Sequence, residues 1–158
     1  MDNLNIPYIR PVEIILTRGF SGCGKSTWAK QVMSENPGKY KRINKDSLRS
    51  MLDDNIWNSE NEHFLNEAVD ALILMAVKSG KSVINGDTNL NPVHEARIRL
   101  MFIHLPWITV TVKEFFDVPI ETCIERDSLK TGSQKIGKEA ILKQVERWNK
   151  VKDKQVVK

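Results

Sequence analysis

With 158 residues, 41% of them hydrophobic and 28% charged, the chain is long enough for one domain with its own core and short for two. No apolar run reaches the length of a membrane span, and residues 1–10 lack the charged-then-apolar pattern of a secretory leader, so a soluble, cytoplasmic protein is expected. The net charge of +4 is unevenly placed: residues 1–125 carry 14 Lys/Arg against 16 Asp/Glu, and residues 126–158 carry 10 against 4, which suits a polyanionic partner or an anion clamp.

In chain order, residues 1–10 read as an extended lead-in and residues 12–17 as a buried parallel strand. Then comes Gly19-Phe20-Ser21-Gly22-Cys23-Gly24-Lys25-Ser26-Thr27, which fits the phosphate-binding loop G-x-x-x-x-G-K-S/T between a strand and a helix. The glycines let backbone N–H groups turn inward around phosphates, and the following helix aims its positive end at the same place. Lys25 can reach β- and γ-phosphates, and Ser26 can offer a hydroxyl to Mg²⁺. Dinucleotide folds need G-x-G-x-x-G; the order here is G-x-x-G-x-G, which favours ATP over NAD. Cys23 reads as a small filler within the loop. Cys23 and Cys123 are too far apart in sequence to suggest a disulfide framework or a metal site.

A helix over 25–35 stops at Asn36-Pro37-Gly38, and residues 39–43 form a second strand. Asp46 follows that strand, where open α/β sheets keep their ligand crevice; it reads as a helix cap, as a functional acid, or as both. Arg49 lies one turn on, facing the same cleft. Residues 53–59 form a polar loop in which Trp57 is an aromatic platform or a packed anchor. Residues 60–79 form a helix with an apolar stripe of Phe64, Leu65, Ala68, Leu72, Ile73, Met75 and Ala76; His63 on it is a surface histidine.

Residues 81–86 form a third strand, ending at Asp87-Thr88-Asn89-Leu90-Asn91-Pro92. Asp87 reads either as an acid serving Mg²⁺ or the attacking group, or as a turn that caps the next helix. A helix over 93–104, a strand over 107–116 and a helix to about Arg126 follow. Residues 127–137 are polar, basic and glycine-containing, a loop that can close over phosphates with Arg126, Lys130 and Lys135. A last helix over 138–150 buries Ile141, Leu142, Val145 and Trp148, and 151–158 is a frayed basic tail. One domain over 1–150, a small parallel β-sheet flanked by helices with a basic lid, accounts for the whole pattern.

Taken together, these residues resemble the kinase domain of the bacteriophage polynucleotide kinase-phosphatase family, whose members transfer the γ-phosphate of ATP to 5′-hydroxyl ends of DNA or RNA. The resemblance runs from Val12 to Trp148. It rests on the loop with Trp28-Ala29, on Asn36-Pro37-Gly38, on Ile43-Asn44-Lys45-Asp46 with Arg49, on Asp87-Thr88-Asn89-Leu90-Asn91-Pro92, and on Phe116-Asp117-Val118-Pro119 leading to Arg126. It implies a single-domain P-loop kinase using ATP and Mg²⁺, with Gly19, Ser21, Gly22, Cys23, Gly24, Lys25, Ser26, Thr27 and Arg126 on the nucleotide. Asp46 matches the general base, Arg49 the residue holding the acceptor phosphate, Asp87 a second acid beside Thr88, and Arg126 the start of the lid. Asp46 or Asp87 would touch the Mg²⁺ of Ser26 through water.

The chain departs from the family pattern in two places. The phosphatase motif D-x-D-G-T is absent, so no 3′-phosphatase activity is expected of these residues. The lid offers Lys130 where the family carries a later arginine, and a point charge replaces a planar fork only in part. The implied partner is a nucleic acid with a single-stranded 5′-hydroxyl end; the basic tail leaves docking on a separate phosphatase or ligase open. The competing readings are a related kinase for another hydroxyl (a hydroxymethylated base, a nucleotide or a sugar) and a nucleotide-gated nucleic-acid-binding module without turnover.

Overall fold

A computed structural model describes residues 4–156. Four strands, β1 (Val12–Arg18), β2 (Tyr40–Ile43), β3 (Ser82–Asn85) and β4 (Ile108–Glu114), form one all-parallel sheet in the order β2-β3-β1-β4. The apolar run of β1 suits its central place, where Ile14 and Leu16 face one side and Ile15 the other. At the edge, β4 alternates instead, with Thr109, Thr111 and Lys113 exposed.

The helices cover both faces. Helix α1 (Lys25–Glu35) packs Ala29, Trp28 and Val32 against Ile15, Ile84 and Tyr40. On the opposite face, α3 (Ser59–Lys78) and α4 (Pro92–Met101) bring Val69, Ile73, Ala76 and Ile98 onto Ile14, Leu16 and Val83. Between β2 and α3 lies the short helix α2 (Lys45–Asp53); α5 (Ile120–Ser128) follows β4. Helix α6 (Lys138–Val156) sets Ile141 and Trp148 against Phe20 of the phosphate loop, and the Trp148 ring stacks on Phe116 at 4.8 Å. Because every strand runs the same way, the segments after β1, β2 and β3 emerge at one end of the sheet, which assembles a crevice.

The expected α/β sheet is present, and its details correct several readings. Helix α6 runs to Val156, so residues 151–156 are helix and not a frayed tail. Val151 still packs on the Trp148 cluster, and no Gly or Pro interrupts residues 138–156. Phe64, Met75 and Leu142, assigned to buried stripes, are exposed, while Val69 and Val77 fill the α3 core. Trp57 is 71% exposed and anchors nothing. Among the described residues, no helix is long and apolar enough to cross a membrane.

Candidate active site

The phosphate loop is built from backbone. Gly22 (φ 83°) and Gly24 (φ 101°) occupy the left-handed region, and a Cβ on Gly22 would sit 2.2 Å from the Cys123 carbonyl oxygen, so no other residue fits there. Helix α1 starts at Gly24 with no side-chain cap and no acid in its first turn. Its amide end therefore keeps the positive pole of the helix free of protein anions, the arrangement that suits a phosphate chain. Lys25 is only 7% exposed; its Nζ donates to the carbonyls of Gly19 (2.9 Å) and Phe20 (2.7 Å) and to Cys23 Sγ (3.4 Å). Burial lowers the pKa of its ammonium, Cys23 works the other way, and the positive charge of Lys130 lowers it further. Cys23 is buried against Phe115 and Cys123, as a filler would be, and Ser26 and Thr27 are exposed.

The loop is tied to the third strand. Thr17 Oγ1 donates to the carbonyls of Asn85 and Asp87, both at 3.1 Å, and the Gly19 amide donates to the Thr88 carbonyl at 3.1 Å. Asp87 thus borders the loop from β3. Its carboxylate accepts from the Lys45 amide (2.8 Å), Asn85 Nδ2 (3.3 Å) and Asn44 Nδ2 (3.4 Å), while burial pushes its pKa up. The capping alternative for Asp87 is excluded, since Asn91 caps α4 by accepting from the Val93 amide.

Capping is likewise excluded for Asp46. Asn44 caps α2 through the Ser47 amide, leaving the Asp46 side chain 80% exposed and, among the described residues, bonded only to Arg49 Nη1, at 2.7 Å. The negative charge of Asp46 also raises the Asp87 pKa, which puts the two acids in one electrostatic neighbourhood. Arg49 donates its Nε to Glu62 Oε1 at 2.6 Å, and Lys45 Nζ reaches Glu62 Oε2 at 3.4 Å. Glu62, unremarked in the sequence, is therefore the anchor that aims both cations. Its hydrogen bond with Arg49 holds its own pKa down and raises that of the guanidinium.

The loop after α5, expected from the sequence to act as a lid, is held by a buried acid whose role no sequence pattern marked. Asp127 accepts from the amides of Ile136 (3.2 Å) and Gly137 (2.8 Å), closing residues 128–137 onto α5, with Lys130 Nζ 3.7 Å from its Oδ1. Arg126 is exposed and places Nη1 3.7 Å from the position a Cβ would take on Gly24, directly over the start of α1. Ser21 does not stand free: its amide donates to Gln144 Oε1 (2.9 Å), and Gln144 Nε2 donates to its hydroxyl (3.1 Å). No local pattern marks Gln144, because its partner lies 123 residues away.

Beside Asp87 and Thr88 opens a cavity of about 530 Å³ between α3, α4 and α6. Its floor is apolar, with Leu16 and Ile73, and its walls include Lys45, Arg97 and Arg147. His94 borders it too; burial lowers the imidazole pKa, and the charges of Arg97 and Lys45 add to the effect. The structure thus brings Asp46, Arg49, Asp87 and Thr88 to one side of the crevice. Lys25, Arg126 and Lys130 gather on the other, joined through the contacts of Thr17 and Gly19.

Comparison with known proteins agrees with this architecture. One chain of the Pnkp1/Rnl/Hen1 RNA repair complex superposes with a TM-score of 0.75 at 25% identity, over 95% of this chain and 48% of that one. A second structure of the Pnkp1/Rnl/Hen1 complex gives 0.62 at 21% identity, over 76% of this chain and 40% of that one. The Mycobacterium tuberculosis APS kinase CysC, in complex with AMPPNP and APS, gives 0.55 at 19% identity, over 76% of this chain and 70% of that one. The chain spans about half the length of the RNA-repair chain that it matches, and its fold is that of the P-loop kinases. Residues 14–154 match the family described as AAA domain, and the chain belongs to that family.

Proposed function

We propose that this chain is an ATP- and Mg²⁺-dependent polynucleotide kinase that phosphorylates 5′-hydroxyl ends of DNA or RNA. The observation that carries the reading is Asp46: an exposed carboxylate on the first turn of α2, released from capping by Asn44 and oriented by Arg49. The similarity to a chain of an RNA repair complex supports a nucleic-acid acceptor and partner subunits.

In this reading the uncapped amides of α1 and the Lys25 ammonium, drawn from its carbonyl partners, hold the β- and γ-phosphates. Mg²⁺ supplies charge neutralisation on the phosphate oxygens. Among the described residues no three His, Cys, Asp or Glu side chains gather to hold a metal, so the Ser26 hydroxyl, phosphate oxygens and water would be its ligands. Arg49 grips the acceptor phosphate, and Asp87 with Thr88 walls the acceptor side. Asp46 accepts the proton of the hydroxyl as it attacks in line, while Arg126 and Lys130 offset charge on the transferring group.

Replacing Asp46 with Asn keeps the side-chain shape and removes the base, so transfer to 5′-hydroxyl oligonucleotide should fall by roughly 10²–10⁴ while ATP affinity holds. Label transfer from γ-labelled ATP measures the first, and nucleotide titration the second. Transfer at the parent rate in D46N would overturn the assignment. A panel of 5′-hydroxyl DNA, 5′-hydroxyl RNA, hydroxymethylated DNA, nucleotides and sugars tests the acceptor: label on a small molecule alone would replace the polynucleotide reading with another kinase. Oligonucleotide binding without labelled product would leave a binding module.

A further inference from the structure

We infer that one face of α6 is a track for the acceptor strand, binding the phosphates of single-stranded nucleic acid beyond the cavity beside Asp87. The inference rests on the polynucleotide reading of that site and names a surface outside it. Lys143, Arg147, Lys150 and Lys154 recur at i, i+4, i+7 and i+11, so they lie along one face of the helix, and all four are exposed. The helix is continuous to Val156, which makes the row about 16 Å long at roughly 1.5 Å per residue, the reach of a few nucleotides.

Charge is sorted across the helix. Glu139, Glu146 and Asp153 recur every seven residues along the edge of the row that faces away from the cavity. On the other edge, Gln144, Arg147 and Val151 line the cavity that Lys45, Arg97 and Thr88 share. The row therefore runs along the rim of that pocket, with Arg147 belonging to both. Arg147 makes no ion pair within 4 Å among the described residues, and the Lys150–Glu146 pair at 2.9 Å is solvent-exposed on both sides, so neither cation is committed to the fold.

The chemistry points to a polyanion and away from a membrane. The apolar face of α6 is consumed by Phe20, Phe116 and Ile124, which leaves it no face to insert into lipid. Cations spaced one per turn beside an amide-bearing pocket match a groove that follows a phosphate backbone.

The test uses the full chain with Lys150→Glu/Lys154→Glu, and Lys150→Gln/Lys154→Gln as a charge-neutral companion; both pairs are solvent-exposed, so both variants should fold. Affinity for an unreactive 5′-phosphorylated single strand is followed by anisotropy across a salt series. In either variant the slope of log affinity against log salt should shrink by about 1.4, at roughly 0.7 per lost single-strand contact. The KM for a 5′-hydroxyl oligonucleotide should rise severalfold with kcat held, and the KM for a mononucleotide acceptor should not move. An unchanged slope overturns the track, as does an equal loss for mononucleotide and oligonucleotide, or an acidic peptide that binds the parent as tightly as the strand. If the parent shows the salt slope but phosphorylates no strand, the kinase reading fails and the track stands.

Discussion

The two sides of the crevice are made by different means. The phosphate-loop side is backbone and core: glycines at positive φ, an uncapped helix, and a lysine almost wholly buried among carbonyls. The α2–α3 side is side chain and surface. There, Glu62 holds Arg49 and Lys45, Arg49 holds Asp46, and Met51, Ile56, Trp57 and Phe64 stand exposed nearby. A rigid cradle suits a phosphate chain that is the same in every donor; a clasp of ion pairs can be rearranged, and in the function proposed above an acceptor phosphate would compete for Arg49. The cradle should therefore fail by strain, and the clasp by loss of charge.

Gly22→Ala should give the largest stability loss. The added methyl meets the Cys123 carbonyl oxygen, a backbone atom, at 2.2 Å, at φ 83°. A cost of roughly 2–4 kcal/mol follows from strain plus displacement, lowering Tm by about 5–12 °C in a domain of this size. Gly38→Ala makes the comparison sharp, because its φ of 74° is equally left-handed and nothing lies within 4 Å of the new methyl. Only the conformational cost of about 1–2 kcal/mol should appear there. Thermal melts of the two variants separate close packing from backbone strain; equal losses would mean that α5 yields to the loop.

That contrast also explains what the sequence made legible. The loop could be read because its chemistry demands glycines, lysine and serine at fixed offsets, and Asp46, Arg49 and Asp87 could be placed because they end strands or begin helices of a parallel sheet. Glu62, Asp127 and Gln144 could not. Each acts on a partner 9 to 123 residues away, and each sits in an ordinary amphipathic helix where a polar residue reads as solvent-facing. The end of α6 misleads in another way: its lysines suggest fraying, although Val151 continues the spacing of Trp148 and Ile141 and the helix runs to Val156.

Glu62→Gln should break the clasp more gently. It removes one carboxylate from two cations and leaves the half-buried Arg49 with Asp46 alone, a loss of about 1–2 kcal/mol at neutral pH. The hydrogen bond from Arg49 holds the Glu62 pKa below its ordinary 4.5, so its contribution is present above that value and disappears as pH falls through the folded value. Asp87 has the opposite sign. Burial raises its pKa, so its contribution is full at acid pH and declines as pH rises through the folded value. Denaturant melts from acid to neutral pH should show the E62Q curve meeting the parent curve at low pH and falling below it above about pH 4.5. Acceptor KM should rise severalfold with ATP affinity unchanged; a change in ATP affinity instead would mean that the clasp reaches the cradle.

Trp57→Ala should have the smallest effect on the fold, and for that reason it tests the acceptor side most cleanly. A tryptophan 71% exposed between α2 and α3 contributes little packing, and Asp54 and Asn55 just before it already take positive φ to turn the chain there. The substitution should change stability by less than about 0.5 kcal/mol. A loss above about 2 kcal/mol would show the ring to be packed after all and return Trp57 to the role of anchor. With stability unchanged, quenching of parent Trp57 fluorescence by a 5′-hydroxyl strand, measured against W57A to remove the other three tryptophans, would place a base on this ring. A spectrum unmoved by the strand would confine the acceptor to Arg49 and the cavity, leaving the exposed apolar corner outside the reaction.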